Sequence, residues 1–342
     1  MAPVPHLQTG VSLRSFNTMG IDAHAHALLP VHGVDDLRAV RADPTLNALP
    51  RLVLGGGSNL LFTGDFDGLV LQMRGTGIDI VGETGDAVLV RAAAGESWHG
   101  LVMWTLAHGL GGMENLSLIP GSVGASPIQN IGAYGSELKD CFHGLTAFDF
   151  DTGALLHLDR EACEFGYRDS IFKHRLRDRA VILDVTFALP KRWQPNLRYA
   201  ELAQEVALRG WTAPGAADIS AAVIAIRQRK LPDPALLGNA GSFFKNPVVP
   251  AAQRDALLAR HPGMVSHLQG DGSFKLAAGW LIDQCGWKGR TMGAAGVYEK
   301  QALVLVNRGG ASGAEMVALA EAIGQDVESR FGVRLEPEPV FV

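Results

Sequence analysis

Glycine-rich segments hold the residues of this 342-residue chain whose types and spacing best suit chemistry. In segment 54–60, Gly55, Gly56 and Gly57 are followed by Ser58 and Asn59. A glycine turn after a strand lets backbone N–H groups approach phosphate oxygens, because no Cβ intervenes. The Rossmann fingerprint fails at its last glycine, and no Walker A motif follows. The segment is compatible with a tight turn and with a diphosphate cradle.

A second segment, 109–135, combines many glycines with Leu, Ile and Val side chains. Flexible linkers are not that apolar, so we expect a packed loop that follows a ligand closely. Gln129 and Asn130 stand within it, with small residues on both sides. This composition favours backbone wrapped around a large planar or phosphorylated ligand. A glycine-rich packing loop is the alternative.

Two further segments, 238–247 and 275–283, have the same character. Ser242 in the first is framed by small residues, which lets its hydroxyl approach a substrate. The Gly-x-Ser-x-Gly elbow is absent and no obvious Ser-His-Asp set accompanies it, so a surface turn is the alternative. The second reads mainly as the core face of a helix.

Two other groups of residues look reactive. His24 and His26 alternate, but a third metal ligand is missing nearby, so we predict no metal site. Glu336 and Glu338 alternate between prolines, and an extended chain would place them on the same face. One of them could face a cleft, or both could be solvated charges.

Helices and strands that position these segments mix in both halves of the chain. Hydrophobic alternation and short apolar runs predict strands over 51–54, 68–73, 87–92, 144–150, 180–189 and 302–307. Helical spacing predicts helices over 97–108, 217–228, 251–260, 277–285 and 313–330. Pro232 and Pro234 predict a domain boundary.

Charge and cysteine content restrict the function classes. Thirty basic residues against 35 acidic residues give a net charge of −5, without the basic stripe of a nucleic-acid-binding domain. The three cysteines fit neither a disulfide framework nor a Cys-x-x-Cys metal site. We expect a cytoplasmic protein without a signal peptide or a membrane span.

Four strings carry a family resemblance: 119–135, 166–173, 238–247 and 275–284. With Phe16–Gly20 before them and Glu338 after them, they extend over nearly the whole chain. Together they resemble the UDP-N-acetylenolpyruvoylglucosamine reductase family, also called UDP-N-acetylmuramate dehydrogenases. The stretch around Tyr199 resembles the form of this family whose tyrosine-bearing loop folds over the substrate.

The resemblance implies an α+β fold. A two-subdomain FAD-binding unit of the vanillyl-alcohol oxidase and p-cresol methylhydroxylase type is joined by a smaller α+β substrate-binding domain. The implied boundaries are 1–75, completed by the C-terminal strand 334–342, then 76–230, and 231–333 for the substrate-binding domain.

The resemblance also implies a reaction: the NADPH-dependent reduction of UDP-N-acetylglucosamine enolpyruvate to UDP-N-acetylmuramate through FAD, in peptidoglycan synthesis. Arg168 matches the family arginine that stabilises the enolate-like intermediate, and its planar fork suits a carboxylate. Glu338 matches the partnering acid, which would need a raised pKa to donate a proton. Ser242 matches the proton donor to the adjacent carbon.

Binding residues carry over from the same motifs. The cofactor-binding matches are Gly55, Gly56, Gly57, Ser58, Asn59, Gly121, Ser122, Gly124, Ser126, Gln129, Asn130, Gly132, Ala133 and Tyr134. The substrate-binding matches are Tyr199, Lys230, Asn246 and, more weakly, Gln301. We expect a monomer that uses NADPH as hydride donor and binds neither metal, nucleic acid nor membrane.

Two departures and two alternatives complete the prediction. Ala125 stands where the family often has serine, so one flavin hydrogen bond there would come from the backbone. No histidine adjoins Gly55–Gly57 to attach flavin covalently, so FAD is expected to be noncovalent. An oxygen-using alcohol oxidase on the same fold and a noncatalytic nucleotide-sugar or flavin binder are the competing functions.

Overall fold

The structure is a computed structural model that describes residues 6–342. Its strands are β1 Gln8–Ser12, β2 His24–Val31, β3 Arg51–Leu54, β4 Leu60–Leu61, β5 Phe66–Met73, β6 Ile78–Glu83, β7 Ala87–Ala93, β8 Gly132–Ala133, β9 Ser136–Glu137, β10 Phe142–Asp149, β11 Leu155–Asp159, β12 Ala180–Pro190, β13 Gly238–Ser242, β14 Val248–Val249, β15 Ser266–Leu268, β16 Phe274–Leu276, β17 Thr291–Met292, β18 Ala295–Val297, β19 Val304–Asn307 and β20 Val340–Phe341. Its α-helices are α1 Val34–Ala42, α2 Pro44–Ala48, α3 Trp98–Ala107, α4 Ala200–Leu208, α5 Ala216–Lys230, α6 Ala251–Arg260, α7 Ala278–Gln284 and α8 Gly313–Phe331.

The helices and strands predicted from the sequence are all present, with ends that agree to within two residues. Others were not predicted, among them β2 and the helices α1 and α4. The helix α4 begins directly after Tyr199, so the tyrosine-bearing loop that the resemblance implies ends at this residue. Short 3-10 turns, including Glu114–Leu116 and Val123–Ala125, occupy the glycine-rich segment 109–135.

The chain divides into two compact units. The first unit comprises residues 6–11, Ala25–Gly57 and Phe66–Arg229. The second unit comprises Ser12–His24, Ser58–Asp65 and Lys230–Val342. The three-part division at residues 75 and 230 stays a prediction.

The first unit contains two larger sheets and the two-stranded sheet β8-β9. One has the order β1-β2-β5-β3, and its strands β2, β5 and β3 run parallel. Strand β2 is buried almost throughout after His26, as is usual for a parallel strand covered on both faces. The other sheet is antiparallel, with the order β11-β10-β12-β7-β6. Its core includes Trp98 of α3 and Phe187 of β12, whose rings meet edge to face.

The second unit contains a sheet of order β13-β19-β18-β17, in which β19 is buried at every residue. The long helix α8 buries Met316, Leu319 and Ile323 along one face. It begins with a capping box between Ser312 and Glu315, which satisfies N–H groups that the first turn leaves without partners. Within residues 6–342, none of the helices combines the length and apolar character needed to cross a bilayer.

An ion pair with a buried carboxylate lies at one edge of the antiparallel sheet in the first unit, between Asp149 at the end of β10 and Arg179 directly before β12. Asp149 is 1% exposed and accepts two hydrogen bonds from Arg179, at 2.8 and 2.7 Å. The hydrogen bonds from Arg179 hold the pKa of the Asp149 carboxyl well below its usual range. Arg179 also pairs with the exposed Asp151 at 3.0 Å.

Asp149→Asn should lower the free energy of unfolding at pH 7 by about 2 kcal/mol, because bonds to a charged partner are lost. The depressed pKa means that this stabilisation is complete above about pH 4 and is lost as the pH falls further. Chemical denaturation should therefore give a smaller difference in the free energy of unfolding between the variant and the unchanged protein at pH 3 than at pH 7. Asp151→Asn serves as the exposed control. A difference that is equally large at both pH values would contradict this account.

Candidate active site

The glycine turn at 55–57 packs directly on the backbone of segment 109–135. A Cβ added to Gly56 would lie 2.8 Å from the Cα of Gly121, and one on Gly55 would lie 2.1 Å from the Oγ of Ser122. Close-packed interiors do not accommodate such approaches, so a larger residue would push the two segments apart. The glycines after β3 therefore determine a backbone-to-backbone contact.

Ser122 adds a buried hydroxyl to this contact. It is 6% exposed, and its Oγ has no hydrogen-bond partner within residues 6–342. A buried polar atom without a partner costs about 1–3 kcal/mol, so its persistence points to a role with a bound ligand or water. The Ser126 hydroxyl is already engaged, since it donates to the carbonyl of Val123 at 2.6 Å.

The rest of the segment is held in a specific backbone conformation. Asn130 and Tyr134 have left-handed φ values of 45° and 49°, which are costly for residues other than glycine. The Asn130 amide donates to the carbonyl of Gly166 at 2.9 Å and to Glu137 at 3.0 Å. This side chain therefore braces the segment. The other predicted cofactor residues on this stretch are Gly124, Gln129, Gly132 and Ala133, the last two forming β8.

Arg168 brings a guanidinium to the same segment. Its Nη2 donates to the carbonyl of Gly132 at 2.9 Å, and its Cζ lies 5.5 Å from the ring centre of Tyr167. Its own backbone is left-handed, with φ 55°, and its carbonyl accepts from the Lys173 ammonium at 2.8 Å. The structure thus brings the predicted catalytic arginine together with a predicted cofactor residue.

Tyr134 lies against Arg227 of α5, a residue that was not predicted to belong to the site. The two side chains share a hydrogen bond, and the buried Nε of Arg227 has no partner in the described part of the chain. Burial raises the pKa of Tyr134 to about 12, so its phenol stays protonated at neutral pH. Burial and the positive charge of Arg227 lower the pKa of His99, whose Nδ1 accepts from the Leu118 N–H at 3.0 Å.

In the second unit, Ser242 and Glu338 lie on paired chain segments. Ser242 ends β13, and the N–H of Glu338 donates to the carbonyl of the next residue, Phe243, at 2.9 Å. Phe244 and Pro337 form an antiparallel bridge one step further. Two predicted catalytic residues that are 96 positions apart in sequence are therefore held on neighbouring segments of this unit.

The two carboxylates near the C-terminus have different surroundings. The Glu336 side chain is 71% exposed and forms an ion pair with the Lys245 ammonium. Glu338 is partly buried at the position where its backbone pairs with Phe243. Of the two alternatives for Glu336, the structure supports the solvated charge.

Asn59 binds the backbone of the C-terminal segment 338–342 in the second unit. Its Nδ2 donates to the carbonyl of Glu338 at 3.2 Å, and its carbonyl accepts from the Val340 N–H at 2.9 Å. Strands β4 and β20 then pair in parallel. The C-terminus of the chain thus runs alongside Ser58 and Asn59, two of the predicted cofactor residues.

Two predicted substrate residues of the second unit make structural hydrogen bonds. The Oδ1 of Asn246 accepts from the Ala278 N–H at 3.0 Å, where α7 begins. The Oε1 of Gln301 accepts from the Leu303 N–H at 3.2 Å. The Asn246 bond joins two of the strings that carry the family resemblance, 238–247 and 275–284. It leaves the Nδ2 end of that amide as the group that could bind a ligand.

The remaining predicted substrate residues lie at helix ends. Lys230 is the last residue of α5, and Tyr199 is the residue before α4. Tyr199 is 43% exposed, and its ring meets the ring of Tyr134 edge to face, with centroids 5.1 Å apart. Tyr199 therefore stands next to a predicted cofactor residue of segment 109–135.

Within residues 6–342, no group of three or more His, Cys, Asp or Glu side chains is placed to hold a metal ion. His24 lies 3.7 Å from Asp65, and His26 lies 3.8 Å from Asp67. Each histidine thus has an acidic neighbour at the surface.

Two family models match this chain. One describes an FAD binding domain and matches residues 25–159; the other describes the C-terminal domain of UDP-N-acetylenolpyruvoylglucosamine reductase and matches residues 233–342. A reductase of that name from Azoarcus sp. (strain BH72) is 58% identical to this chain, in an alignment that covers 100% of this chain and 99% of the Azoarcus protein. The chain belongs to the UDP-N-acetylenolpyruvoylglucosamine reductase family.

Other members and a solved structure agree with this assignment. The reductase of Paraburkholderia xenovorans (strain LB400) is 59% identical over 97% of this chain and 96% of its own. The crystal structure of the Thermus caldophilus reductase is similar with a TM-score of 0.68 and 25% identity, covering 97% of both chains. The family and the α+β fold class predicted from the sequence are confirmed.

The first unit fits the FAD that this family membership implies. A backbone cradle closed by glycines, the partnerless hydroxyl of Ser122 and the protonated phenol of Tyr134 are suited to a large polar ligand with phosphates. The sequence analysis did not identify Arg227 as a candidate site residue. Arg227 lies three residues before Lys230 on α5, and residues with this spacing share one face of a helix, so the predicted role of Lys230 was the signal that pointed to Arg227.

Gly56→Ala should weaken FAD binding at least tenfold, because the new methyl group meets the Gly121 backbone at 2.8 Å and neither segment can yield as a flexible side chain would. The measurement is the ratio of flavin to protein absorbance after gel filtration, followed by titration with FAD. Gly82→Ala is the matched control in the same unit, since its Cβ would meet nothing within 4 Å. Full flavin retention by Gly56→Ala would contradict the cradle.

Proposed function

We propose that this protein reduces UDP-N-acetylglucosamine enolpyruvate to UDP-N-acetylmuramate for peptidoglycan synthesis, using NADPH and noncovalently bound FAD. The observation that carries the proposal is the contact of Arg168 with the Gly132 carbonyl, because it holds a carboxylate-binding cation on the segment that matches the flavin site. Membership of the reductase family supports the same reaction.

The glycine turn and segment 109–135 would hold FAD. Backbone N–H groups of Gly55, Gly56 and Gly57, with the Ser122 hydroxyl, would face the diphosphate, where the absence of Cβ atoms allows close approach. When bound, FAD would supply the hydride-transfer chemistry that connects NADPH with the methylene carbon of the enolpyruvyl group. The protein's own contribution is to orient the two partners and stabilise the charge that develops.

Arg168 would stabilise that charge. Hydride addition to the methylene carbon moves negative charge onto the substrate carboxylate, and a planar guanidinium can bind it through two parallel hydrogen bonds. The bond from Nη2 to the Gly132 carbonyl fixes the guanidinium before substrate arrives, so little reorganisation is needed during the reaction. Glu338 would be the acid that partners Arg168 at the carboxylate.

Ser242 would supply the proton. After hydride addition, the carbon that bears the ether oxygen and the carboxylate needs one proton to complete the lactyl group. A serine hydroxyl is a weak acid, so it must be aligned with that carbon and resupplied with a proton by a neighbour or water. The left-handed Gly241 before it and the Glu338–Phe243 backbone bond after it fix its position in the second unit.

The nucleotide part of the substrate would be bound by Tyr199, Lys230, Asn246 and Gln301. Lys230 supplies a positive charge at a helix end, and the other three supply neutral hydrogen-bonding groups. One local cation, Lys230, would be enough to attract a phosphate to a protein whose net charge is −5.

We further propose that the enzyme works as a monomer in the cytoplasm. Its three cysteines are all free thiols, which suits a reducing compartment. Burial raises the pKa of both Cys141 and Cys163 to about 12, so these thiols are unreactive at neutral pH.

The purified protein should be yellow and should oxidise NADPH only when UDP-N-acetylglucosamine enolpyruvate is present. The measurement is the absorbance of NADPH at 340 nm with and without that substrate, with oxygen and with argon. The competing alcohol oxidase would instead turn over an alcohol with oxygen and without NADPH. A colourless protein, or NADPH oxidation that does not depend on the enolpyruvyl substrate, would overturn the proposed function.

Ser242→Ala should leave flavin reduction by NADPH intact while lowering substrate reduction by about 10²-fold or more, because the proton donor is lost. Stopped-flow absorbance at 450 nm measures the two half-reactions separately. Ser266→Ala, in β15 of the same unit, is the matched control and should change neither. If both half-reactions of Ser242→Ala keep their rates, another group donates the proton.

A further inference from the structure

The stretch 190–199, here called the strap, leads from the end of β12 to Tyr199 at the start of α4. It lies against the glycine-rich segment 109–135, which we assign to the flavin. Two side chains of the strap, Trp193 and Asn196, hydrogen-bond to this segment or to the residue directly after it. All of these residues belong to the first unit.

Trp193 makes the first attachment. Its indole Nε1 donates to the Glu114 carboxylate at 3.0 Å, and Glu114 is 4% exposed. Its ring rests on Gly111, where an added Cβ would lie 2.4 Å from Cδ1 of the indole. The other carboxylate oxygen of Glu114 accepts from the Gly112 N–H, which orients the acceptor. The indole is thus held both by a hydrogen bond to Glu114 and by the packing of its ring on Gly111.

Asn196 makes the second attachment. Its Nδ2 donates to the Gly135 carbonyl and to the Ser136 hydroxyl, both at 2.9 Å. Its backbone carbonyl accepts from the Nδ2 of Asn115, at 2.9 Å. The strap is therefore bonded through both its side chain and its backbone at this residue.

Asn115 links the strap to the neighbour of Tyr199. The same Nδ2 that binds the strap also donates to the carbonyl of Tyr134 at 2.8 Å. Asn115 is 2% exposed, so these bonds are shielded from water. Tyr134, whose backbone is held in this way, packs its ring edge to face against the ring of Tyr199, with centroids 5.1 Å apart.

We propose that Trp193, Asn196 and Asn115 are positioning residues that dock the strap on the flavin-binding segment and so hold Tyr199 in place to bind the UDP-sugar. This inference rests on the proposed role of Tyr199 in substrate binding. Tyr199 is exposed and would otherwise lose conformational freedom on binding. A strap that is docked beforehand removes part of that cost, so its loss weakens substrate affinity more than it slows the chemical step.

Gly111→Ala tests this directly, because a single methyl group displaces the Trp193 ring without touching the predicted substrate residues. Holoenzyme is titrated with UDP-N-acetylglucosamine enolpyruvate, and the change in the flavin spectrum gives Kd. We expect Kd and KM to rise about tenfold, with kcat within threefold of the unchanged enzyme and FAD fully retained. Gly324→Ala, in α8 with nothing within 4 Å of the new Cβ, is the control.

The Tyr199→Ala background separates positioning from general damage. Tyr199→Ala alone should raise Kd, and adding Gly111→Ala to it should raise Kd less than twofold further, because both changes remove the same interaction. An equal effect of Gly111→Ala in both backgrounds, or an unchanged Kd in Gly111→Ala alone, would overturn the proposal. An unchanged Kd in Tyr199→Ala would instead show that the substrate role of Tyr199 is wrong.

If Gly111→Ala does not yield folded holoenzyme, Trp193→Phe keeps the ring on Gly111 and removes only the bond to Glu114. Its Kd should rise about threefold in the unchanged background and stay the same in Tyr199→Ala. An effect on kcat without an effect on Kd would contradict the positioning role.

Discussion

The close approach of two backbone segments, 55–57 and 121–124, is the constraint on which the candidate site depends. Glycines make it possible, because a Cβ on Gly55 or Gly56 would occupy space already filled by Ser122 or Gly121. The contact buries the hydroxyl of Ser122 without a partner in the described chain. Such a buried hydroxyl is expected to find its partner in a bound ligand or a water. The same contact orients the segment that contains Tyr134 and that Arg168 contacts through the Gly132 carbonyl.

Backbone geometry, more than side-chain proximity in sequence, positions the reactive groups. Arg168, Asn130 and Tyr134 all have left-handed φ values, which cost energy for residues with a Cβ. Hydrogen bonds to main-chain carbonyls offset that cost: Arg168 binds the carbonyl of Gly132, and Asn130 binds that of Gly166. In the second unit, main-chain pairing of Glu338 with Phe243 performs the same task for Ser242. Three of the seven non-glycine residues with left-handed φ in the described chain are thus candidate site residues.

The glycine-rich segment has two functions in this interpretation. One face of it would form the flavin cradle, and another would provide the docking surface for the strap that carries Tyr199. Trp193 and Asn196 use main-chain and carboxylate acceptors that the segment fixes, including Glu114 and the carbonyl of Gly135. Cofactor binding and substrate positioning thereby depend on the same folded loop, which explains why so apolar a stretch contains so many glycines.

The sequence by itself determined the most strongly periodic helices and strands, the family and the reaction class. Hydrophobic alternation and helical spacing are local properties, so β12, α5 and α8 were predicted to within two residues. It did not determine that Glu336 pairs with Lys245 while Glu338 pairs with Phe243, nor that Arg227 contacts Tyr134. Those partners are about 90 residues apart in sequence. Only the tertiary structure decides such contacts, because local propensity carries no information about which distant segments share a surface.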